Sequence, residues 1–394
     1  MRAAVLRAPG GPLQVEDVDL GPPHAGELLV RVEAGGVCHT ELHYMSGDIP
    51  CPLPIVLGHE GTGVVEEVGA GVEDFAPGQR VAFTWRPRCG HCEYCVTGRP
   101  VMCVYGRVQA RSGGLMDGTS RLRRGDEEIH HFLGVSCFAE YAVVSCRAVV
   151  AIPADIPAEI AAIAGCAVVT GVGAVVNVAA GQGSVAGRPM LVLGAGGVGL
   201  SAVMGAHLVG AAPVVVVDVA RDKLDLAQRL GATDVVDATQ VPPDDLVATL
   251  QSLTAGGAEV AIDAVGSSST MAQAFAALRP GGTVIAVGLS SASATVAVPI
   301  NELVQQQKHL VGCLYGSANP SLDLPRLLGL YRNGRLPLDK LLGATYSLDE
   351  VGQAYDQLRA GAVGRAIVVP AGPVAGTAPV PVPVPAEVPA PHRP

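Results

Sequence analysis

The sequence predicts an α/β plus β protein, a small barrel-like β domain followed by a doubly wound parallel sheet. Short β-rich stretches such as Glu27–Val32 and Gly61–Val68, separated by Gly and Pro, fill roughly the first hundred residues with little helical periodicity. From about Ile160, apolar strands (Met190–Leu193, Val214–Val217, Val260–Ile262, Thr283–Val287) alternate with alanine-rich helical stretches, which is how a parallel sheet covered on both faces reads. Past about Leu314 the chain leaves that sheet, and Gly372 to Pro394 is a Pro/Val/Ala tract with repeated Pro-Val pairs that cannot build a packed core. The expected division is residues 1–166 for the β domain with a cysteine-rich lobe near 86–105, and 167–313 for the nucleotide-binding sheet. Residues 314–370 form a further segment beyond the sheet, and 371–394 form a disordered tail.

Composition narrows the function classes. A chain of 394 residues can bury sizeable cores without covalent staples. Its formal net charge of −10 gives no long-range attraction to nucleic-acid phosphates or anionic membranes. No signal-peptide pattern opens the chain, and we expect no apolar run of the eighteen or so uncharged residues that a membrane span needs, hence a soluble cytoplasmic protein. In a reducing compartment the ten cysteines are not expected to form disulfides. Arg121–Arg124 is followed at once by Asp126–Glu128, which reads as a self-compensating loop rather than a nucleic-acid patch. His130 and His131, adjacent on an extended segment, point to opposite faces and would not share one ion.

Strand Met190–Leu193 runs directly into Gly194-Ala-Gly-Gly-Val-Gly199 and then the apolar Leu200–Val209, the strand, turn and helix order of a Rossmann dinucleotide fingerprint. Gly194 permits the tight turn, Gly196 lets the backbone approach a pyrophosphate, and Gly199 lets the helix pack closely on the strand. Asp218, about twenty residues past the glycines, can accept hydrogen bonds from the adenosine ribose and repel the extra phosphate of NADP, so NAD is expected. Cys89, Cys92, Cys95 and Cys103 place four thiols in one short loop, which suits a closed, structural, tetrahedral zinc. A zinc ribbon that binds nucleic acid is the competing reading, and the acidic chain argues against it. Cys38-His39-Thr40-Glu41, Gly58-His59-Glu60 and Gly165-Cys166 are a second, dispersed set that spacing alone does not join. Cys51, Cys137, Cys146 and Cys313 read as small buried hydrophobes.

The segments Gly35–Glu41, Gly58–Gly63 with Gly69 and Val72, the four-cysteine lobe and Gly194–Gly199 together resemble the zinc-containing medium-chain alcohol dehydrogenases, over residues 1 to about 370. Asp117–Arg121 and His130–Gly134 are similar to the long-lobed, dimeric branch. Gly316–Pro320 is similar to a bacterial branch described as dependent on acceptors such as nitrosodimethylaniline, in which the nicotinamide can stay bound between turnovers. The resemblance implies a GroES-like catalytic domain around an inserted Rossmann domain, with a second zinc held by Cys38, His59 and Cys166. The implied relay has Thr40 accept the alcohol proton and pass it through the nicotinamide ribose hydroxyls to His43, and it makes Glu60 a transient fourth ligand. His39 and Arg365 would contact the pyrophosphate, and Asp218 and Lys223 the adenosine ribose. Thr170, Val198, Val265 and Val287 would line the nicotinamide, while the loop of Gly194, Gly196, Gly197 and Gly199 cradles the pyrophosphate.

Ile49, Trp85, Val108, Phe132 and Leu133 match positions that shape the substrate pocket, an apolar lining that predicts uncharged, bulky or aromatic alcohols and aldehydes. Two positions depart from the pattern. His39 replaces an arginine, exchanging a bidentate clamp for a contact that depends on protonation. Glu41 replaces an aspartate that supports the zinc-bound histidine, and its extra methylene puts that hydrogen bond at risk. Two zinc ions per chain, NAD, a small-molecule alcohol or aldehyde and a homodimer are therefore expected. A dehydrogenase acting on a thiol adduct of formaldehyde is the nearest alternative, and a non-catalytic zinc- and NAD-binding protein the next.

Overall fold

The computed structural model describes residues 1–371, so the Pro/Val/Ala tract lies outside the described residues. Strands Glu27–Gly36, Gly61–Val68, Arg80–Phe83, Tyr141–Ser145 and Val149–Ala151 pair antiparallel in one seven-stranded sheet. Its remaining two strands come from the other end of the chain. Arg365–Val369 lies antiparallel to Glu27–Gly36, with Ile367 opposite Gly36, and Leu342–Ser347 flanks it. Alternation along Glu27–Gly36 explains the pairing: Leu28, Val30 and Val32 turn inward onto Val65, Val81 and Phe83, while Leu29, Arg31 and Glu33 face outward. A second, six-stranded sheet built on Arg2–Leu6 closes the other side.

The inserted unit is a six-stranded, all-parallel sheet in the order Asp234–Asp237, Val214–Asp218, Met190–Leu193, Ala258–Asp263, Leu278–Ala286, His309–Gly312. The central strand Met190–Leu193 is buried on both faces: Met190 and Val192 enter one core, Leu191 and Leu193 the other. The strand order reverses beside Met190–Leu193, which opens the crevice where nucleotides bind in such sheets.

A continuous helical run, Ala158–Gln182, joins the two units. It corrects one expectation, since it is 25 residues long, its most apolar eighteen-residue window has a mean hydropathy of 2.0, and it meets the length and composition of a membrane span. It is apolar all round because 89% of its most apolar window is buried, packed on the barrel strands at one end and on the Gly197–Leu208 helix at the other. The run is not uniformly α-helical. Ala164–Val168 and Ala174–Ala179 are wound more widely, as π-helix.

Candidate active site

The lobe follows the strand Arg80–Phe83. Cys92 precedes the short helix Glu93–Val96, and Cys103 precedes the helix Val104–Ser112. These turns aim all four sulphurs inward: Cys89 Sγ is 3.9 Å from Cys95 Sγ, and Cys92 Sγ is 4.0 Å from Cys103 Sγ. Tetrahedral Zn–S bonds of about 2.3 Å require sulphurs roughly 3.8 Å apart, so the donor set fits the metal. Backbone N–H groups serve the sulphurs, Cys92 donating to Cys89 Sγ at 3.3 Å and Cys89 to Cys103 Sγ at 3.5 Å. Hydrogen bonds from backbone N–H groups, first that of Val104, lower Cys92 to about 6, whereas burial pushes Cys103 up to about 12.

Three distant elements assemble the dispersed cluster. Cys38 follows the Glu27–Gly36 strand and precedes the helix His39–Ser46; His59 precedes the strand Gly61–Val68; Cys166 sits in the π-wound stretch of the long helix. Donor atoms of Cys38, His59, Glu60 and Cys166 all lie within 4.8 Å of one another, and all four residues are buried. His59 Nε2 is 3.3 Å from Cys166 Sγ, close to the roughly 3.6 Å that a shared tetrahedral zinc would set. The Glu41 carboxylate reaches His59 Nδ1 at 2.6 Å, so the longer side chain is accommodated and the hydrogen bond that its extra methylene put at risk is made. Glu60 is held from behind by Arg365, whose Nη2 and Nε donate to its two oxygens at 2.7 and 3.2 Å.

Charge in this buried cluster is tightly shared. A hydrogen bond between the two sulphurs pulls Cys38 well below the usual thiol range and, with burial, pushes Cys166 well above it. Burial opposes a proton on His59, but the Glu41 carboxylate and Cys38 outweigh it and hold the imidazole well above its ordinary value. Burial likewise raises Glu60, against the pull of Arg365. A divalent cation seated among these donors would replace the protons they otherwise share.

The cluster opens onto a cleft of about 1080 Å³ between the two sheets. His39, Thr40, His43, Thr170, Gly194, Gly196, Gly197, Val198, Gly199, Asp218, Lys223, Val265, Val287 and Arg365 all border it, so the structure brings every residue assigned to relay or cofactor except the buried Glu60 to one opening. Gly194 adopts φ +92°, and a Cβ on Gly199 would fall 1.7 Å from the Gly194 carbonyl oxygen, which explains both glycines. Asp218 is locked by backbone N–H groups, accepting from Ala195 at 2.6 Å and Ala220 at 2.9 Å. Burial keeps His39 below the ordinary histidine value, against the opposing pull of Cys38. His43 Nδ1 lies 3.3 Å from Asp48 Oδ2 at the outer end.

Of the five residues expected around the substrate, Trp85 borders the cleft. Phe132 instead stands behind His59 with ring centroids 5.7 Å apart, Val108 packs by Gly118, and Ile49 and Leu133 lie outside the lining. The wall is completed by Val101, Met102, Leu314 and Tyr315, which sequence reasoning missed. Tyr315 immediately precedes the Gly316–Pro320 segment that carries part of the family resemblance, so the signal lies one residue away. Among the leftover cysteines, Cys137 and Cys313 are buried, but Cys51 and Cys146 are only half-buried.

Comparison with known proteins agrees with this geometry. Residues 24–154 match the alcohol dehydrogenase GroES-like domain, and residues 197–332 match the zinc-binding dehydrogenase domain. The chain is 38% identical to an NDMA-dependent alcohol dehydrogenase of Amycolatopsis methanolica, over 93% of this chain and 98% of the relative. It is 37% identical to a geraniol dehydrogenase of Castellaniella defragrans, over 93% and 97%. The crystal structure of benzyl alcohol dehydrogenase from Acinetobacter calcoaceticus superposes with a TM-score of 0.86 at 32% identity, covering 93% of this chain and 98% of that one. With a barrel and a parallel sheet that each match their domain, and relatives that match nearly end to end, the chain belongs to the zinc-containing medium-chain alcohol dehydrogenases, oxidoreductases of small-molecule alcohols or aldehydes.

Proposed function

We propose that this zinc-dependent alcohol dehydrogenase exchanges a hydride between NAD and an uncharged primary alcohol with a bulky or aromatic body. One observation carries the substrate reading: the wall beside the Cys38–His59–Cys166 cluster is Trp85, Val101, Met102, Leu314 and Tyr315, with the Trp85 and Tyr315 rings 4.9 Å apart. An apolar substrate body gains from burial against this wall, whereas a charged group laid on it would lose its hydration. Relatives named for geraniol and benzyl alcohol fit the same body.

Cys38, His59 and Cys166 would hold one zinc, and Cys89, Cys92, Cys95 and Cys103 a second that fastens the lobe. When bound, the first zinc supplies Lewis acidity and the nicotinamide a hydride acceptor. Thr40, its hydroxyl 3.5 Å from Cys38 Sγ, takes the alcohol proton, and His43 at the outer end of the same helix returns it to solvent. Glu60 stands within reach as an exchangeable donor, and Arg365 keeps it withdrawn. The locked Asp218 carboxylate, with Lys223, receives the adenosine ribose, and its negative charge repels a 2′-phosphate. His39 and Arg365 face the pyrophosphate, while Thr170, Val198, Val265 and Val287 flank the nicotinamide. Two chains would pair through the sheet-edge strand His309–Gly312, where Leu310 is 41% exposed, a dimer that size-exclusion elution tests directly.

Initial rates of nicotinamide reduction test the reading with benzyl alcohol, ethanol, and formaldehyde plus a low-molecular-weight thiol, each with NAD and NADP. The expected order of kcat/KM is benzyl alcohol first, with NAD. Turnover confined to the thiol adduct would replace the substrate class, and a preference for NADP would overturn the role of Asp218.

A further inference from the structure

The helix that presents Cys166 widens where the ligand sits. In the stretch Ala164–Val168 the Val169 N–H reaches back five residues to the Ala164 carbonyl rather than four to Gly165. The Gly165 carbonyl, buried and directly preceding Cys166, thereby loses the donor that an α-helix would supply. The Tyr315 hydroxyl supplies one, donating to Gly165 O from a side chain that is 2% exposed.

The backbone that delivers this hydroxyl is itself unusual. Tyr315, Gly316 and Ser317 have φ of 54°, 66° and 48°, three consecutive residues in the left-handed region, two of them carrying side chains that disfavour it. The turn is pinned onto the same helix a second time. Asn177, in the second π-wound stretch, donates from Nδ2 to the Gly316 carbonyl at 3.1 Å. Gly173 lets the two backbones meet, since a Cβ there would lie 2.6 Å from Gly316 O. A strained turn held at two points, whose tyrosine completes the one carbonyl next to a cluster thiol, is a brace.

We propose that Tyr315 is a positioning residue for the metal-binding cluster, its hydroxyl fixing the wide turn that aims Cys166 at Cys38 and His59. The proposal rests on Cys166 being a metal ligand. It is tested on the full-length protein loaded with cobalt(II), comparing wild type, Tyr315→Phe, Asn177→Ala and Cys166→Ser by thiolate-to-cobalt and d–d absorption and by the rate of metal loss to a chelator. Tyr315→Phe removes a single oxygen, and we expect shifted bands and metal loss from the dispersed site faster by about tenfold, with the lobe metal and far-UV dichroism unchanged. Asn177→Ala loosens the turn but leaves the hydroxyl, and it should shift the bands and speed metal loss less than Tyr315→Phe does. Wild-type bands and loss rate in Tyr315→Phe would overturn the proposal, as would an equal effect in Asn177→Ala, which would assign it to the turn rather than the hydroxyl. Wild-type bands in Cys166→Ser would instead sink the ligand assignment beneath it.

Discussion

The two cysteine clusters solve one problem, holding sulphur around a cation, by opposite means. In the lobe, the four ligands lie within one short loop and backbone N–H groups steady the sulphurs, so the geometry belongs to the local turn. In the dispersed cluster His59 and Cys166 are 107 residues apart, and side chains do the steadying: Glu41 behind His59, Arg365 behind Glu60. Backbone support suits a cation that only fastens the chain. Charged side-chain support suits one whose donors must change protonation and exchange, because carboxylates and a guanidinium can set the charge of a buried site as amides cannot. The difference also decides access, since the dispersed cluster opens on the cleft and the lobe's sulphurs do not line it.

The sharpest way to break this contrast is Cys166→Ser, which should remove one zinc per chain by metal analysis and lower kcat/KM for benzyl alcohol by at least about 1000-fold while the protein stays folded. Cys92→Ser should do the reverse. It should also remove one zinc, but with its main effect on thermal unfolding, a drop of about 5 °C or more, and a smaller loss of turnover. If the two variants proved interchangeable in calorimetry and kinetics, the division into fastening and reacting sites would fail. Glu41→Gln sharpens the side-chain half of the comparison: it keeps the shape but not the charge behind His59, and roughly a 10- to 100-fold loss in metal affinity is expected by competition with a chelator. An unchanged affinity would show that the histidine needs no carboxylate.

The smallest effect lies outside both clusters and asks whether acid sensitivity belongs to them at all. His131 is 1% exposed, and its Nε2 accepts the Arg121 backbone N–H at 3.1 Å; burial, with Arg121 nearby, lowers it to about 3. Above the ordinary histidine value both folded and unfolded chains leave it neutral and it costs nothing. As the pH falls below that value only the unfolded chain takes the proton, so stability declines until about 3 and then levels off. Between about pH 7.5 and about pH 5.5 this group should remove about 1.4 kcal/mol, and His131→Gln should lose that share of the slope in denaturant titrations at the two pH values. An unaltered slope would show that His131 takes up no extra proton on unfolding in this range.

Local features are legible in the sequence, and features made by distant contact are not. Met190–Leu193 is a strand because a four-residue apolar run ends in Gly194, and the fingerprint glycines follow from the chain's own close approach at Gly199. The lobe is readable for the same reason, all its ligands sharing one loop. By contrast nothing in the spacing of Cys38, His59 and Cys166 joins them, and only family resemblance does. Val101, Met102, Leu314 and Tyr315 become neighbours only when the lobe and the segment after the parallel sheet fold over one cleft, so no periodicity marks them. The helix Ala158–Gln182 escapes a reading by period because that reading asks for a polar face, and a helix buried between two units has none.

That helix also settles how the protein can be cut. One end of it fills the barrel, packing on Glu27–Gly36 and Gly61–Val68, and the other fills the nucleotide-binding sheet. Each unit therefore keeps part of its interior on a rod it shares with the other. Severing the chain on either side of the rod leaves one half with an open socket and the other with a naked apolar stem, the kind of surface that aggregates. The two units can be named separately, but they are one object to a protease, to an engineer choosing a fragment to express, and to the ribosome, which must release the Gly197–Leu208 helix before the far end of the rod is covered.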